Sequence, residues 1–442
     1  MAFPMQTDST PTASRLAMIG TVIAAFSTYF CVYGFRKPFT SASFDDTGLA
    51  GIGFKELLVI AQVMGYMLSK FIGIKVIAEM PPHRRGVGII VLVMSAFAAL
   101  IVFPLVPRPY NAICLFFNGL SLGMTFGLVL GFLEGRRCTE ALAAGLCTSF
   151  ILADGVTKSV GAWLLQAGVS ESWMPAAAGC VFFLPLIVSV AFLSQSPSPT
   201  LSDQAARSVR ETLNRQQRRD LYGRYALGLT LLVVMYLVVT VLRSLRADFA
   251  PQLWSGLGID AIPSAYTYSE LWVALGVICV NGGAVFIRNN RTAFFVSLAT
   301  CMFGFLLMAI TLAGWQTQRI GGFTFMVLIG LGLYLPYVAI HTTVFERMLA
   351  MTRERGNLGF LMYVADAFGY LGYVGVMIAK NLITPSDTLL VFFINACWIA
   401  VAISGAAMTA TWIYFWKRSR HYGTDPNVEV PNPSIASEPA TL

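Results

Sequence analysis

Charged residues are scarce in this sequence. Asp, Glu, Lys and Arg make up 12% of the 442 residues, whereas soluble chains carry roughly 25%. Hydrophobic residues make up 56% of the chain, and the polar gaps between the apolar runs are short. This composition excludes an ordinary soluble domain and predicts an all-α protein embedded in a lipid bilayer.

The sequence also lacks the patterns of metal, nucleotide and catalytic sites. It has only three histidines, no P-loop, and eight cysteines without a C-x-x-C pair. Nearly all of the cysteines lie in apolar runs, where they are expected to pack helices. We therefore expect no metal, no cofactor and no disulfide framework. No nucleophile–base set can be assembled, so the protein is not expected to be an enzyme.

Apolar runs long enough to cross the ~30 Å hydrocarbon core recur twelve times. The predicted spans lie near 16–41, 56–78, 87–107, 110–133, 141–168, 174–194, 224–250, 267–287, 292–314, 321–346, 358–382 and 387–416. Lys and Arg in short loops are retained in the cytoplasm. Most of the loop Lys and Arg fall on one side when both termini are cytoplasmic, which predicts that orientation.

The longest polar segment divides the spans into two sets of six. It covers 195–223 and is basic, so it predicts a cytoplasmic linker between an N-terminal half, 1–194, and a C-terminal half, 224–416. The proline-containing tail, 417–442, is expected to be disordered. This plan is typical of the major facilitator fold. Basic loops facing anionic lipid account for the net charge of +8, so no nucleic-acid partner is expected.

A few ionisable residues interrupt the predicted spans. They are Arg36, Lys37, Lys70, Lys75, Asp154, Lys158, Arg243, Arg246, His341 and Asp366. A charge inside the bilayer costs several kcal/mol unless it faces water or a partner. Each of these residues is therefore a candidate for function.

Arg36 and Arg243 occupy matching positions in the first span of each half. Arg36 lies 21 residues after Arg15, and Arg243 lies 19 residues after Arg224. Two guanidinium groups at matching depths would face each other across a central cavity, where their rigid donor forks suit a phosphate or a carboxylate. The alternative is that each side chain reaches the outer interface as an anchor. The paired placement favours an anionic substrate.

The other intramembrane residues allow more than one interpretation. Asp154 and Lys158 are four residues apart on one helix face, and they either neutralise each other or bind substrate or a proton. Asp366 has no adjacent basic residue in its own predicted helix, so it either pairs with a cavity arginine or carries a proton. His341 is either packed and hydrogen-bonded or a ligand for substrate or protons.

Short motifs around these residues resemble those of organophosphate:phosphate antiporters. The motifs are Tyr33-Gly-Phe-Arg36-Lys37-Pro-Phe39, Ser69-Lys70-Phe71, Arg243 with Asp248 and Pro251 following it, and Phe368-Gly-Tyr-Leu-Gly372. In that family one arginine from each half holds the phosphate. The resemblance implies that role for Arg36 and Arg243, with Lys70 as a further cavity cation beside Lys37.

The sequence departs from the antiporters at some positions. Their helix-five histidine is replaced near Asp154 and Lys158, and Arg246 and Asp366 look like additions. The stretches 28–40 and 356–366 more closely resemble a bacterial major facilitator family of unknown function, which implies a bacterial inner (plasma) membrane.

Two cytoplasmic loops resemble the charged hinges of facilitator proteins, where acid–base pairs lock one conformation. Their residues are Glu79, Arg84 and Arg85 in one loop and Glu134, Arg136 and Arg137 in the other. The alternative is that these charges only set the topology.

We therefore predict a monomeric secondary transporter that moves a small organic anion, such as a phosphorylated metabolite, by alternating access. Exchange of one anion for another needs no proton carrier. Proton-coupled symport is the rival mechanism if Asp154 or Asp366 titrates. The second hypothesis, from a different functional class, is a transporter-like receptor that binds the anion without moving it.

Overall fold

The structure is a computed structural model that describes most of the chain. The described residues are 11–44, 52–133, 139–196, 215–259, 263–284, 287, 289–352, 358–383 and 389–419. Of the predicted hinge residues, Glu134, Arg136 and Arg137 lie outside them, as do most of the predicted linker and tail. The division into two halves at 195–223 stays a prediction.

The described residues form helices joined by short turns. In chain order they are α1 (Pro11–Tyr33), α2 (Phe54–Glu79), α3 (Pro82–Val102), α4 (Ala112–Leu122), α5 (Thr125–Leu133), α6 (Thr139–Gln166), α7 (Met174–Ser194), α8 (Arg215–Arg224), α9 (Ala226–Asp248), α10 (Ala250–Gly256), α11 (Pro263–Ala284), α12 (Asn290–Gln316), α13 (Gly322–Ala339), α14 (Phe345–Thr352), α15 (Leu358–Ile383) and α16 (Leu389–Ser419). A π-helical turn, Ile340–Val344, joins α13 to α14. We call α1 to α7 the N-terminal helices and α9 to α16 the C-terminal helices.

Many of these helices are suited to a bilayer. Nine helical segments of the described residues are long and apolar enough to cross a membrane. Large apolar side chains cover the outward faces, among them Leu184 at 68% exposure and Phe192 at 64%. Such a surface is stable against lipid rather than water. The chain is a multi-pass membrane protein, and the count of twelve spans with cytoplasmic termini stays a prediction.

Glycines let α2 and α4 pack backbone against backbone. A Cβ atom on Gly65 would lie 2.0 Å from the carbonyl oxygen of Phe116, and one on Gly119 would lie 2.0 Å from that of Gln62. Small residues allow this close approach in membrane helices, where dispersion contacts replace the hydrophobic effect.

The N-terminal and C-terminal helices meet mainly where α6 packs on α11 and α2 packs on α15.

The first predicted span ends earlier than its apolar run suggests. Helix α1 ends at Tyr33 rather than near residue 41, so Arg36 and Lys37 lie in a turn, followed by a 3₁₀ turn at Pro38–Ser41. The amides of Gly34, Phe35 and Arg36 bond three residues back, which tightens the chain out of the α-helix. Pro38 prevents its continuation, since it has no N–H and disfavours a helical residue before it.

We expect Gly119→Ala to destabilise the protein by about 1–3 kcal/mol, because the added methyl group must push α2 away from α4. Gly405→Ala is the matched control, since no atom lies within 4 Å of its added Cβ. Thermal unfolding of the purified variants in detergent measures the difference. Equal melting temperatures for the two variants would contradict the packing described for α2 and α4.

Candidate functional site

Two buried amide side chains fix the turn that carries Arg36. Asn118 on α4 donates to the carbonyl oxygens of Phe35 (3.0 Å) and Ala96 (3.1 Å). Gln62 on α2 donates to the carbonyl oxygen of Arg36 (3.1 Å) and to Asn118 (2.8 Å). Because Phe35 and Arg36 lie beyond the end of α1, the two amides supply the partners that their buried carbonyls require.

The guanidinium group of Arg36 lies on aromatic rings. Its Cζ atom is 3.9 Å from the ring centroid of Tyr66, with Tyr33 and Tyr370 at 5.8 and 6.0 Å. The residue is 5% exposed. The negative face of an aromatic ring attracts a cation, more strongly where water is excluded.

Arg243 is held in the same way by the C-terminal helices. Its Cζ atom lies 4.4 Å from the ring centroid of Tyr337 and 5.8 Å from that of Tyr334, both on α13. The residue is 4% exposed and lies within α9, one turn before its end. The burial of both arginines argues against the outer-interface interpretation, in which the side chains would reach the surface.

The two arginines share neighbours. Tyr33 on α1 and Tyr370 on α15 each interact electrostatically with both guanidinium groups. Within the described part of the chain, no carboxylate lies within 4.0 Å of either arginine, and the Nε atom of each is buried without a hydrogen-bond partner. The arginines thus flank one tyrosine cluster, and neither carries a protein counter-ion there.

Most of the other buried cations do have counter-ions. Lys37 contacts Asp248 closely and lies 3.9 Å from Asp154, which also pairs closely with Lys158. The predicted Asp154–Lys158 contact is thus present, with a second lysine added. On α9, Arg246 donates to Glu270 (2.6 Å) and to the carbonyl oxygen of Met326 (3.1 Å).

Positive charge exceeds negative charge in the interior. Seven cations and four carboxylates of the described residues are buried, namely Arg36, Lys37, Lys55, Lys70, Lys158, Arg243 and Arg246 against Asp154, Asp248, Glu270 and Asp366. Lys55 donates to two backbone carbonyls and to Gln252. Of the other six cations, only Arg36 and Arg243 have no carboxylate within 4.0 Å among the described residues.

A second cluster surrounds Asp366 on α15. Lys70 on α2 lies 2.9 Å from one carboxylate oxygen, Tyr236 on α9 donates a short hydrogen bond to the other, and His341 lies 3.5 Å from that second oxygen. The partner of Asp366 is thus Lys70 rather than a cavity arginine. His341 is packed and hydrogen-bonded, and Phe126 on α5 contacts its ring edge to face at 6.2 Å.

Contacts between N-terminal and C-terminal helices lie on both sides of the arginines. Along α15, Asp366, Tyr370 and Tyr373 follow one another about a turn apart. Asp366 bonds Lys70, Tyr370 lies beside Arg36, and Tyr373 donates to Asp248, the partner of Lys37. Arg36 and Arg243, which we call the arginine layer, therefore lie between two ion pairs, Lys70–Asp366 and Lys37–Asp248. Each ion pair joins an N-terminal helix or turn to a C-terminal helix.

The predicted acid–base pairs of the two cytoplasmic loops are not seen among the described residues. Arg84 is exposed, and Arg85 donates to the carbonyl oxygen of Gly131 rather than to an acid. The side chain of Glu79 lies outside the described residues, together with Glu134, Arg136 and Arg137. Lys75, also predicted within a span, has its side chain outside them too.

Sequence reasoning missed two features of this site. Glu270, the partner of Arg246, lies inside a predicted span, and the rule applied to the other intramembrane charges would have found it. The tyrosines that hold the arginines carried no signal, because aromatic residues are common throughout apolar membrane helices. The contacts of these rings depend on packing between distant segments.

Comparison with known proteins places this chain in a family. The model of the family of unknown function DUF5690 matches residues 38–418, which is most of the chain. The chain belongs to this family. No curated protein matches the sequence.

Solved structures identify the fold of this DUF5690 protein. It resembles the crystal structure of a D-xylose–proton symporter at a TM-score of 0.57 and 13% identity, over 91% of this chain and 97% of the other. It also resembles a mutant of the nucleoside transporter NupG at a TM-score of 0.58 and 12% identity, over 90% and 100% of the two chains. Both have the major facilitator fold, so the predicted fold is supported, whereas the resemblance to organophosphate antiporters stays a prediction.

We expect Asp366→Asn and Lys70→Gln each to destabilise the protein by about 3–5 kcal/mol, since each leaves a buried charge without its partner. The double variant removes both charges and should recover a large part of the loss. Melting temperatures of the four proteins give the coupling energy. Additive losses in the double variant would show that the two side chains do not interact.

Proposed function

We propose that the protein is a secondary transporter that moves a small organic anion across the membrane, with Arg36 and Arg243 as the binding residues. The observation that carries this proposal is the pair of buried guanidinium groups, one from each group of helices, with no carboxylate of the described residues within 4.0 Å of either. A buried cation without a counter-ion is costly. An anion that enters the cluster would supply the missing charge.

The type of donor favours a phosphate or carboxylate group. A guanidinium group presents parallel N–H bonds that match two oxygen atoms of such an anion, and this match gives geometric specificity as well as energy. The tyrosine rings cover the faces of Arg36 and Arg243, so the N–H edges remain for a ligand. Tyr33 and Tyr370 add hydroxyl groups beside both arginines.

The enclosing contacts are suited to alternating access. Lys37–Asp248 and Lys70–Asp366 join the same two groups of helices on opposite sides of the arginine layer. Rocking of one group against the other would separate one pair while retaining the other. Transporters with this fold bind substrate at the interface of their repeats. The two solved structures described above are both transporters.

A receptor that binds the anion without moving it would need the same arginines. The two ion pairs favour transport instead, because a receptor gains nothing from a separable contact on each side of its ligand. Uptake into proteoliposomes distinguishes the two. Binding without uptake would identify the receptor.

Glucose 6-phosphate should stabilise the purified protein, whereas glucose should not. A ligand that binds only the folded state at 100 times its dissociation constant adds about 2.7 kcal/mol of stability. Melting temperatures with each compound, and with inorganic phosphate and sulfate, measure the effect. Stabilisation by glucose, but not by glucose 6-phosphate, would contradict the anion site.

Arg36→Lys and Arg243→Lys should each reduce anion binding by about 10- to 100-fold, since lysine keeps the charge but lacks the fork, and a hydrogen bond to a charged group contributes about 1.5–3 kcal/mol. Uptake of radiolabelled phosphate into proteoliposomes measures this loss. Arg108→Lys, a partly exposed arginine outside the cluster, is the matched control. Full uptake by both cluster variants would reject the assignment.

A further inference from the structure

His341 lies at a break in the regular helix between α13 and α14. The five residues Ile340–Val344 form a π-helical turn, and all of them are buried. Such turns interrupt α-helices mostly as single insertions and are frequent at functional sites. Here the turn places an imidazole ring next to Asp366, the carboxylate that joins α15 to Lys70 on α2.

Both ring nitrogens of His341 face oxygen acceptors. Nδ1 lies 2.9 Å from the carbonyl oxygen of Tyr337, while Nε2 lies 3.5 Å from the Asp366 carboxylate and 3.3 Å from the Tyr236 hydroxyl. A carbonyl oxygen only accepts, so Nδ1 carries a proton. A neutral imidazole then has no proton left for Nε2, whereas an imidazolium donates on both sides.

The Tyr236 hydroxyl lies within hydrogen-bond distance of both Asp366 and His341, so it can donate to either of them. It donates to Asp366 in the structure. When His341 loses the Nε2 proton to solvent, this hydroxyl can turn and donate to Nε2, and Asp366 then keeps only Lys70 as a donor. The proton on His341 therefore changes the number of donors that hold Asp366, and with it the balance of the Lys70–Asp366 pair.

The histidine is connected to the arginine layer by one aromatic ring. The rings of His341 and Tyr337 are 4.6 Å apart, and Tyr337 lies against the guanidinium of Arg243. With Nε2 protonated, Lys70, Asp366 and His341 together carry one net positive charge, and without that proton they carry none. A positive charge added next to the arginines attracts an anion between them.

We propose that His341 binds the coupling proton and that the proton and the anion bind cooperatively, so that transport is proton-coupled symport. This inference rests on the proposed anion site. Linkage requires that if the proton strengthens anion binding, the anion strengthens proton binding by the same factor. Histidine is suited to the role because its unperturbed titration falls near neutral pH.

The groups around His341 come from several helices. In the described residues the titratable or charged ones are Lys70 on α2, Tyr236 on α9, Tyr337 on its own helix and Asp366 on α15, with Cys147 on α6 interacting electrostatically with Asp366. Apart from His341, none of these groups is a histidine, and the one carboxylate among them, Asp366, is buried. His341 is therefore the imidazole of this cluster, the side chain that can carry a proton on each of its two ring nitrogens.

Nitrogen-15 NMR of the full-length protein in liposomes tests the proton site directly. The chain has only three histidines, so labelled imidazole signals are few, and His341→Gln identifies the signal concerned. We expect an imidazolium signal at low pH that converts to neutral imidazole at high pH. His83→Gln, an exposed histidine on α3, is the control and should leave this titration unchanged.

Tyr236→Phe distinguishes a role in proton binding from a role in packing, because it changes the hydrogen bonds of His341 and keeps the aromatic ring. Without the hydroxyl, the neutral ring loses its donor and Asp366 becomes a stronger acceptor for the charged ring. The midpoint of the His341 titration should rise by about one pH unit, since one hydrogen bond contributes about 1 kcal/mol. A His341 signal that stays in one form from pH 5 to pH 9 overturns the proton site.

Sulfate is the anion probe, because its charge does not change in this pH range. Saturating sulfate should move the His341 midpoint upward, and sulfate affinity should rise about 5- to 150-fold from high to low pH. In proteoliposomes an inward proton gradient should accelerate uptake of radiolabelled sulfate by the wild type and by His83→Gln, but not by His341→Gln.

The outcomes separate this inference from the proposed function. Sulfate binding with an unmoved His341 midpoint, or gradient-driven uptake that survives His341→Gln, overturns the coupling and leaves the anion site intact. Failure of sulfate, phosphate and glucose 6-phosphate all to bind overturns the proposed function, and the coupling with it.

Discussion

The site depends on how two guanidinium groups are kept inside a membrane protein with no carboxylate beside them in the part of the chain that the structure describes. Their faces lie on tyrosine rings, Arg36 on Tyr66 and Arg243 on Tyr337, and such contacts contribute up to ~2 kcal/mol each when desolvated. That is less than the cost of burying an unpaired charge. This remaining imbalance is the reason for the anion site proposed above.

The surrounding ion pairs serve a different purpose. Lys37–Asp248 and Lys70–Asp366 connect helices that are distant in sequence, and each is buried. Replacement by apolar residues often stabilises a protein, so such pairs are weak devices for stability alone. They are suited to contacts that must separate, because water entering an open cavity solvates both charges. In the proposed transport cycle, the polar layer that closes the site would reopen without exposing an apolar surface.

Much of the fold was accessible from the sequence, and less of the site. Apolar runs located the helices, because the bilayer requires about 20 apolar residues for each span. The end of α1 was misplaced, since Phe35 and Phe39 continue the apolar run while Gly34 and Pro38 break the helix. Arg36 and Arg243 were selected by their charge within apolar runs, by their matching positions in the two halves and by the motifs around them. The partner of Asp366 was not predictable, because it lies on α2, almost 300 residues away.

The turn that carries Arg36 makes the two sides of the arginine pair mechanically unequal. Arg243 is part of a continuous α-helix, so its position follows the rigid-body movement of α9. Arg36 is held instead by Asn118 and Gln62 through single backbone carbonyls. Breaking two amide contacts would let this segment reorient while the helices stay in place. In the proposed transporter, local adjustment to ligands of different size would fall to the N-terminal side of the site, and rigid-body displacement to the C-terminal side.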